Sequence, residues 1–536
     1  MSKTSDSNAS SSKRAWRENY RLAEPLIQKA CARSGTPGLA IGKFSHEGKT
    51  YEKYLGHRDL NQKLSPDSET IFNIGSMCKG FTALAIACLV SDMKLHWDDS
   101  IEKFVDELHG THIGSFTIRD ALSHRTGLCR SDALFIGSNN QLLLSKEQGT
   151  SLLASLGTSC PPRQEFIYNN FGYHAVGCVI EKVAAMSYGR FLEKRIFKPL
   201  GMTRTFTALP PAEDEIVSLA YMPYHSLELR QVSSSLISCD TVAFSAGGIC
   251  SCTRDLVTFY SSLLRGLTAA NNLEEISLNH DSLFTMFEAA MPLKGAASLH
   301  EQSYTLGWAR TQLPNQVSEI TGNSGLLEDY PRLGNYEHGP LLFLHAGNNI
   351  GCSSTVYMMP ELDVGIVVLG NSLGHCDATD WACQILIETY LNRSSAIDFY
   401  SFITLSSLRG RSAIERVQET LEKEREPSEP PKNLRAYTGY YWHESRQFYI
   451  EVSLDPNGKL AMLLQGRVDE KYTLHYYHRQ TFVFNETFDQ VVDRGQWCRP
   501  YSFYTIDFIW HDREVVALRW RIDDTQEEGY SFRKLD

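Results

Sequence analysis

Strand-like segments stand on both sides of a long helical stretch, and this order constrains the fold more than any other feature of the sequence. Apolar runs at residues 39–44 and 50–55 flank a Glu-Gly turn and predict a β-hairpin. Helical patterns dominate from 83 to about 264, and strand character returns in three runs between 341 and 370. We therefore expect an α/β fold, with one antiparallel sheet flanked by helices and a large helical insertion. An active site is expected where the insertion meets the sheet.

The chain is expected to hold more than one domain, because 536 residues exceed what one hydrophobic core serves. A predicted helix at 413–423 is followed by REPSEPP, a charged and proline-rich stretch typical of a linker. Beyond it, alternating runs such as FYIEVSL and VVALRWRI between turn residues predict a small all-β barrel. The predicted organisation is a disordered tail over 1–13, an α/β domain over 14–403, a helix and linker over 404–432, and the barrel over 433–536.

Composition and charge exclude several classes of function. A formal net charge of -11, with both signs mixed along the chain, provides no basic stripe for nucleic acid. The longest apolar run, Phe81 to Val90, is too short to cross a membrane, and the N-terminal residues lack the apolar core of a signal peptide. We therefore expect a cytoplasmic protein with no nucleic-acid or membrane partner. The oligomeric state is not readable from the sequence.

The tetrapeptide Ser76-Met77-Cys78-Lys79 carries the clearest chemistry. It lies between a strand-like run, Thr70 to Ile74, and an apolar helix, so Ser76 is predicted at a helix N-terminus with Lys79 one turn later on the same face. A serine hydroxyl becomes a good nucleophile when a base removes its proton. A lysine can serve as that base when burial or neighbouring positive charge lowers its pKa.

Three short motifs occur in the order S-x-x-K, Y-x-N and H-x-G. They are Ser76–Lys79, Tyr168–Asn170 and His345–Gly347. Each motif alone is weak, because each has a second copy: Ser10–Lys13, Tyr390–Asn392 and His112–Gly114. The favoured copies stand inside the longer strings GSMCKGFTALAIACLV, FIYNNFGYHAVGCVIEKV and HAGNNIGCSSTVYMMPE.

Together these strings resemble the class C β-lactamase and penicillin-binding-protein superfamily over roughly residues 15–395, and in particular its esterase and transacylase branch of fungal type. The predicted barrel resembles the lipocalin-like C-terminal domains of some members. The resemblance implies a serine hydrolase or acyltransferase that works through an acyl-serine intermediate on an ester, thioester or amide. It also implies a small-molecule acyl substrate, free or carrier-bound, of secondary metabolism.

The resemblance implies a role for each motif residue. Ser76 would be the nucleophile and Lys79 its base. Tyr168 would shuttle a proton to the leaving group, which requires a nearby positive charge, such as Lys79, to hold its pKa well below about 10. Asn170 would hold Lys79 and the substrate by hydrogen bonds.

The H-x-G motif would form the opposite side of the site. The backbone N–H groups of Ser76 and of Asn348, which follows Gly347, would form the oxyanion hole. His345 departs from the lysine usual in penicillin-recognising members, where a fixed charge meets the β-lactam carboxylate. A histidine here favours an uncharged ester or thioester over an antibiotic.

Other interpretations remain open at this point. D-amino-acid peptidase, amidase or β-lactam hydrolase activity is the alternative within the enzymes. A catalytically silent protein that works through its barrel is the alternative outside them. His124 is expected to be structural, and Tyr304 and Trp308 to be core residues as readily as pocket residues. The motif set supplies base, proton shuttle and oxyanion donors, so no metal or cofactor is expected.

Overall fold

The computed structural model describes residues 3–208, 210, 216–269, 272–293, 300–334, 339–392 and 395–535. Two β-structures organise it: a central sheet formed by strands from both sides of the helical stretch, and a nearly closed barrel at the C-terminus. The strands before the barrel are β1 Gly38–Ser45, β2 Gly48–Gly56, β3 Phe72–Asn73, β4 Ala220–Pro223, β5 Leu229–Val232, β6 Cys250–Ser251, β7 Met291–Pro292, β8 Gln302–Tyr304, β9 Ala309–Gln312, β10 Leu341–Asn349, β11 Cys352–Met359 and β12 Val364–Gly370.

Helices form most of the stretch between the two groups of strands and cover the sheet. Those before the barrel are α1 Lys3–Ser34, α2 Cys78–Ser91, α3 Ile118–Leu122, α4 Lys146–Leu153, α5 Asn170–Ala184, α6 Tyr188–Leu192, α7 Phe244–Gly247, α8 Thr253–Ala269, α9 His280–Met286, α10 Ala378–Leu391, α11 Phe399–Arg411 and α12 Ala413–Glu424.

Within the described residues the central sheet has eight strands, in the order β2-β1-β12-β11-β10-β9-β8-β7. The pairings of β1 with β2 and β12, and of β11 with β10 and β12, are antiparallel. The chain enters the sheet through the predicted hairpin, leaves it for α2 to α9, and returns at β7. The prediction of an antiparallel sheet with a large helical insertion is therefore confirmed.

Both faces of the sheet are buried, and because side chains alternate along a strand, each strand contributes to both. Leu39 and Ile41 of β1 pack with α1 and α10 on one face. Ala40 and Phe44 face the other side, where Phe44 stacks on Tyr260 of α8. Because the sheet is fixed from both sides, its strand β10 is a rigid element next to the turn that leads into α2.

The barrel follows the linker and has nine strands in the part of the chain that the structure describes. They run in the order β16-β15-β14-β13-β21-β20-β19-β18-β17, with side chains such as Tyr441, Phe508 and Phe532 filling the interior. The strands are β13 Gly439–Trp442, β14 Tyr449–Leu454, β15 Leu460–Leu464, β16 Lys471–Thr473, β17 His475–His478, β18 Thr481–Val483, β19 Thr505–His511, β20 Glu514–Trp520 and β21 Tyr530–Leu535, with the helix α13 Phe488–Arg494 between β18 and β19.

Helix α1 begins at Lys3, within the segment predicted as a disordered tail, and its described side chains start at Trp16. Trp16 and Tyr20 of this helix pack against Tyr51 of β2, which ties the helix to the sheet. Among the described helices, none is both long enough and apolar enough to span a bilayer.

Candidate active site

Ser76 lies in a tight 3-10 turn, Gly75–Met77, that leads directly into α2. Gly75 has a φ of 49°, and a Cβ there would lie 2.9 Å from the Gly347 carbonyl carbon. Glycine is required at this position both for the left-handed conformation and for the close approach of β10. The predicted placement of Ser76 at a helix N-terminus, one turn before Lys79, is confirmed.

Lys79 is fully buried, and its amine contacts three oxygen atoms. Its Nζ lies 3.1 Å from Ser76 Oγ, 2.8 Å from Asn170 Oδ1 and 3.1 Å from the Ala246 carbonyl oxygen. Burial lowers the pKa of the Lys79 amine to about 7, because the charged form loses its hydration. A large fraction of Lys79 is therefore neutral near pH 7 and able to accept the Ser76 proton.

Asn170 connects Lys79 to a carboxylate. Its side-chain Nδ2 donates to both oxygens of Asp132 at 3.1 Å, which leaves Oδ1 pointing at Lys79. The bond to a carboxylate fixes which end of the amide is the acceptor. Asp132 thereby positions Asn170, and through it the base.

Tyr168 touches the same nucleophile from the other side. Its ring lies 4.7 Å from Lys79 Nζ. Burial raises the pKa of the Tyr168 phenol well above its ordinary value, although interaction with the Ser76 side chain opposes this rise. The expectation that the Lys79 charge holds this pKa below about 10 is therefore wrong, because desolvation is the largest influence on the phenol. Tyr168 is protonated at neutral pH.

His124 supports Tyr168 from behind. The two rings are 4.2 Å apart, and His124 Nδ1 accepts a hydrogen bond from the Asn169 backbone N–H at 3.0 Å. Burial lowers the pKa of His124 far below its ordinary value, so the ring is neutral. As expected, His124 is a structural residue, but its place against Tyr168 makes it part of the site's scaffold.

His345 lies behind the cavity wall, in contrast to its expected contact with substrate. It is buried, with Nε2 2.9 Å from the Tyr304 hydroxyl and Nδ1 2.7 Å from the Ala346 carbonyl oxygen. Burial lowers its pKa to about 3, so it carries no charge at neutral pH. Side chains alternate along β10, and the next residues, Ala346 and Asn348, line the cavity.

Gly347 sets the distance between β10 and the nucleophile turn. A Cβ at this position would lie 2.0 Å from the Ile74 carbonyl oxygen and 2.8 Å from the Ser76 backbone nitrogen. Only glycine allows this approach, which brings the backbone of Asn348 beside that of Gly75 and Ser76. The expected pair of N–H donors thus belongs to two rigid elements that are in contact.

A cavity of about 390 Å³ opens over Ser76. Phe135, Ile136 and Phe166 contribute apolar surface, and the barrel contributes the loop residues Trp497, Cys498 and Arg499. Trp308, by contrast, is buried against Phe287 and lies outside the wall, as a core residue does. Within the described residues, no group of three or more His, Cys, Asp or Glu side chains is arranged to hold a metal ion.

Sequence reasoning missed Asp132, Arg130 and the cavity-lining barrel residues Trp497, Cys498 and Arg499. Asp132 lies 38 residues before Asn170, and no motif marks it. No motif marks Arg130 or Arg499 either, so only the packing of the barrel on the larger domain reveals that they share a cavity.

Residues 23–387 match the beta-lactamase family. The unguisins hydrolase of Aspergillus campestris is 22% identical over 452 residues, which cover 79% of this chain and 76% of that relative. The octameric penicillin-binding protein homologue from Pyrococcus abyssi covers 96% of this chain and 99% of its own, with a TM-score of 0.56 and 20% identity. A class C beta lactamase from Rhodobacter sphaeroides covers 69% of this chain and 99% of its own, with a TM-score of 0.53 and 18% identity.

The structural likenesses agree with the fold described above, and the first extends over the barrel as well. The family match covers the whole of the sheet and its insertion, from the end of α1 to α10. The chain therefore belongs to the beta-lactamase family of serine hydrolases.

Proposed function

We propose that the protein is a serine hydrolase or acyltransferase that forms an acyl-enzyme at Ser76 on an ester, thioester or amide substrate. The observation that carries this proposal is the 3.1 Å contact of Lys79 Nζ with Ser76 Oγ, made by an amine whose pKa is about 7. A buried, partly neutral amine in contact with a cavity-facing hydroxyl is the arrangement that activates a nucleophile. A serine that only caps a helix and a lysine exposed to solvent would not require such a contact.

The contacts support the following reaction. Ser76 Oγ attacks the substrate carbonyl carbon while Lys79 takes the hydroxyl proton, and the carbonyl electron pair moves onto an oxygen held by the Ser76 and Asn348 N–H groups. When the intermediate collapses, the leaving group receives a proton from Tyr168, which recovers one from the Lys79 ammonium. Water, an alcohol or an amine then attacks the acyl-serine, and the same groups act in reverse.

Two observations support a proposal for the class of substrate. His345 is neutral and buried, so position 345 offers no fixed cation to a β-lactam carboxylate. A relative is named for the hydrolysis of unguisins. The first point disfavours a β-lactam antibiotic as the substrate. The second favours a small molecule of secondary metabolism.

Intact-mass measurement after exposure to a fluorophosphonate tests the nucleophile. Wild type should gain the mass of one phosphonyl group, and Ser76→Ala should gain none. Ser10→Ala, in the second S-x-x-K copy, is the matched control and should label like wild type. Labelling that persists in Ser76→Ala would overturn the assignment.

A panel of acyl esters and thioesters, each with and without an alcohol or amine acceptor, then separates the two outcomes of deacylation. A hydrolase releases the free acid whether or not the acceptor is present. An acyltransferase releases the ester or amide of the acceptor.

A further inference from the structure

The barrel reaches into the active-site cavity through one short segment. Residues 495–500, called the barrel loop here, follow α13, and Trp497, Cys498 and Arg499 from this loop line the same cavity as Ser76. A wall that comes from another domain is a part of the site that the three motifs do not account for.

The barrel loop is held in place by the larger domain. The Asn139 backbone N–H donates to the Gly495 carbonyl oxygen at 2.9 Å, and Gln496 Nε2 donates to Ser138 Oγ at 2.8 Å. Gly495 has a φ of 58° and approaches Asn139 so closely that a Cβ would lie 3.0 Å from the Asn139 Cα. The loop is therefore a fixed wall that presents its side chains in defined positions.

Arg499 brings a cation that forms no close ion pair with the described residues. Its guanidinium lies over the Phe503 ring at 5.6 Å and, in the described part of the chain, has no carboxylate within 4.0 Å. Arg130, from the larger domain, lines the same cavity and is 3.7 Å from Asp524. Both members of that pair are largely exposed, so their attraction is weak and a ligand can compete for the arginine.

The charges of both arginines affect the pKa of groups at the site. Burial raises the pKa of Asp132, and the Arg499 charge opposes this rise. The Arg130 charge likewise opposes the effect of burial on Tyr168. Two described carboxylates, Asp132 and Glu319, also line the cavity, but Asp132 already binds Asn170 through both oxygens. The two arginines are therefore the groups of the cavity wall that would attract an anionic ligand.

We propose that Arg499 of the barrel, together with Arg130, forms a subsite for a carboxylate on the substrate. A guanidinium matches a carboxylate with two parallel N–H donors, and partial exclusion of water strengthens the pair. Phe135, Ile136 and Trp497, which line the same cavity, would hold an apolar segment of the same molecule. The substrate class is thus an amphipathic acyl compound with one negative charge. This inference rests on the proposed function, because it assigns a substrate to the Ser76 site.

Two matched pairs of esters test the subsite. p-Nitrophenyl hemiglutarate against p-nitrophenyl valerate places the carboxylate on the acyl group, and 4-butyryloxybenzoate against phenyl butyrate places it on the leaving group. For one of the pairs, the wild type should have the higher kcat/KM with the anionic member. In Arg499→Gln this anionic-to-neutral ratio should fall by about tenfold, the effect of losing one charge-assisted hydrogen bond.

Arg519→Gln is the matched control, because Arg519 is an exposed arginine of β20 that does not line the cavity. It should keep the wild-type ratio, whereas Arg130→Gln should lower it. Added salt should reduce the ratio in wild type more than in Arg499→Gln.

A wild type that prefers the neutral member of both pairs, or a ratio that Arg499→Gln leaves unchanged, would overturn the subsite. Failure of the proposed function looks different: neither the esters nor a fluorophosphonate would then acylate Ser76. All variants are compared after their thermal unfolding has shown that they are folded.

Discussion

At the scale of single residues, the chemistry depends on the protonation of Lys79. Because burial lowers its pKa to about 7, the neutral fraction grows as the pH rises through that value. We predict that fluorophosphonate labelling of Ser76 accelerates by about tenfold per unit of pH below about 7 and levels off above it.

Lys79→Ala should label more slowly by a factor of about 10²–10⁴, the range typical for loss of a general base. Lys79→Arg should be similarly slow, since a guanidinium stays protonated at these pH values. If Lys79→Ala keeps the wild-type pH profile, another group is the base.

Asp132 provides a second residue-scale prediction, with a clear sign. Burial lowers the pKa of Lys79, and the Asp132 charge acts in the opposite direction. Asp132→Asn removes this charge and keeps the shape of the side chain, so the midpoint of the labelling profile should move to lower pH. Asp106→Asn, at an exposed position paired with Lys182, is the control and should keep the wild-type midpoint. A shift to higher pH in Asp132→Asn would contradict this account.

At the scale of elements, the site depends on how closely β10 meets the turn before α2. Gly347→Ala would place a Cβ 2.0 Å from the Ile74 carbonyl oxygen, which forces the strand and the turn apart. We predict a loss of about 1–3 kcal/mol in unfolding free energy, as for other overpacked sites, together with slower labelling of Ser76.

Gly247→Ala is the matched control for stability, because its Cβ would have its nearest neighbour at an ordinary 3.8 Å. Denaturant unfolding followed by fluorescence checks both variants. Equal stability of Gly347→Ala and wild type would show that the contact between β10 and the turn is not tight.

The elements also show what the sequence reveals. The hairpin β1–β2 was predictable because two short apolar runs flank a turn, and α2 because its apolar run follows a serine. The strings around Ser76, Tyr168 and His345 identified the elements of the site, because each string lies within one continuous segment of the chain.

What the sequence did not reveal depends on packing between distant segments. Asp132 meets Asn170 only when distant segments of the larger domain pack together, and Arg499 enters the cavity only when the barrel packs on that domain. The raised pKa of Tyr168 and the lowered pKa of His345 likewise come from desolvation by burial, which no motif encodes.

At the scale of the whole molecule, the barrel holds the segment that positions the base. Ser131, immediately before Asp132, has a φ of 57°, a conformation that costs energy for serine. Its backbone N–H donates to Asp523 Oδ2 at 2.8 Å, and its hydroxyl lies 2.6 Å from the Tyr530 hydroxyl. Contacts from the barrel thus fix Asp132, which fixes Asn170 and Lys79.

Tyr530→Phe tests this coupling, because it removes one hydroxyl and keeps the ring. We predict a loss of about 1 kcal/mol in unfolding free energy and slower labelling of Ser76. Tyr441→Phe is the matched control: this buried barrel tyrosine donates to the Tyr437 carbonyl oxygen at 2.7 Å, within its own domain. It should lose similar stability and label at the wild-type rate. If the two variants label at the same rate, the barrel stabilises the fold without positioning the base. If only Tyr530→Phe is slow, the barrel is part of the catalytic apparatus.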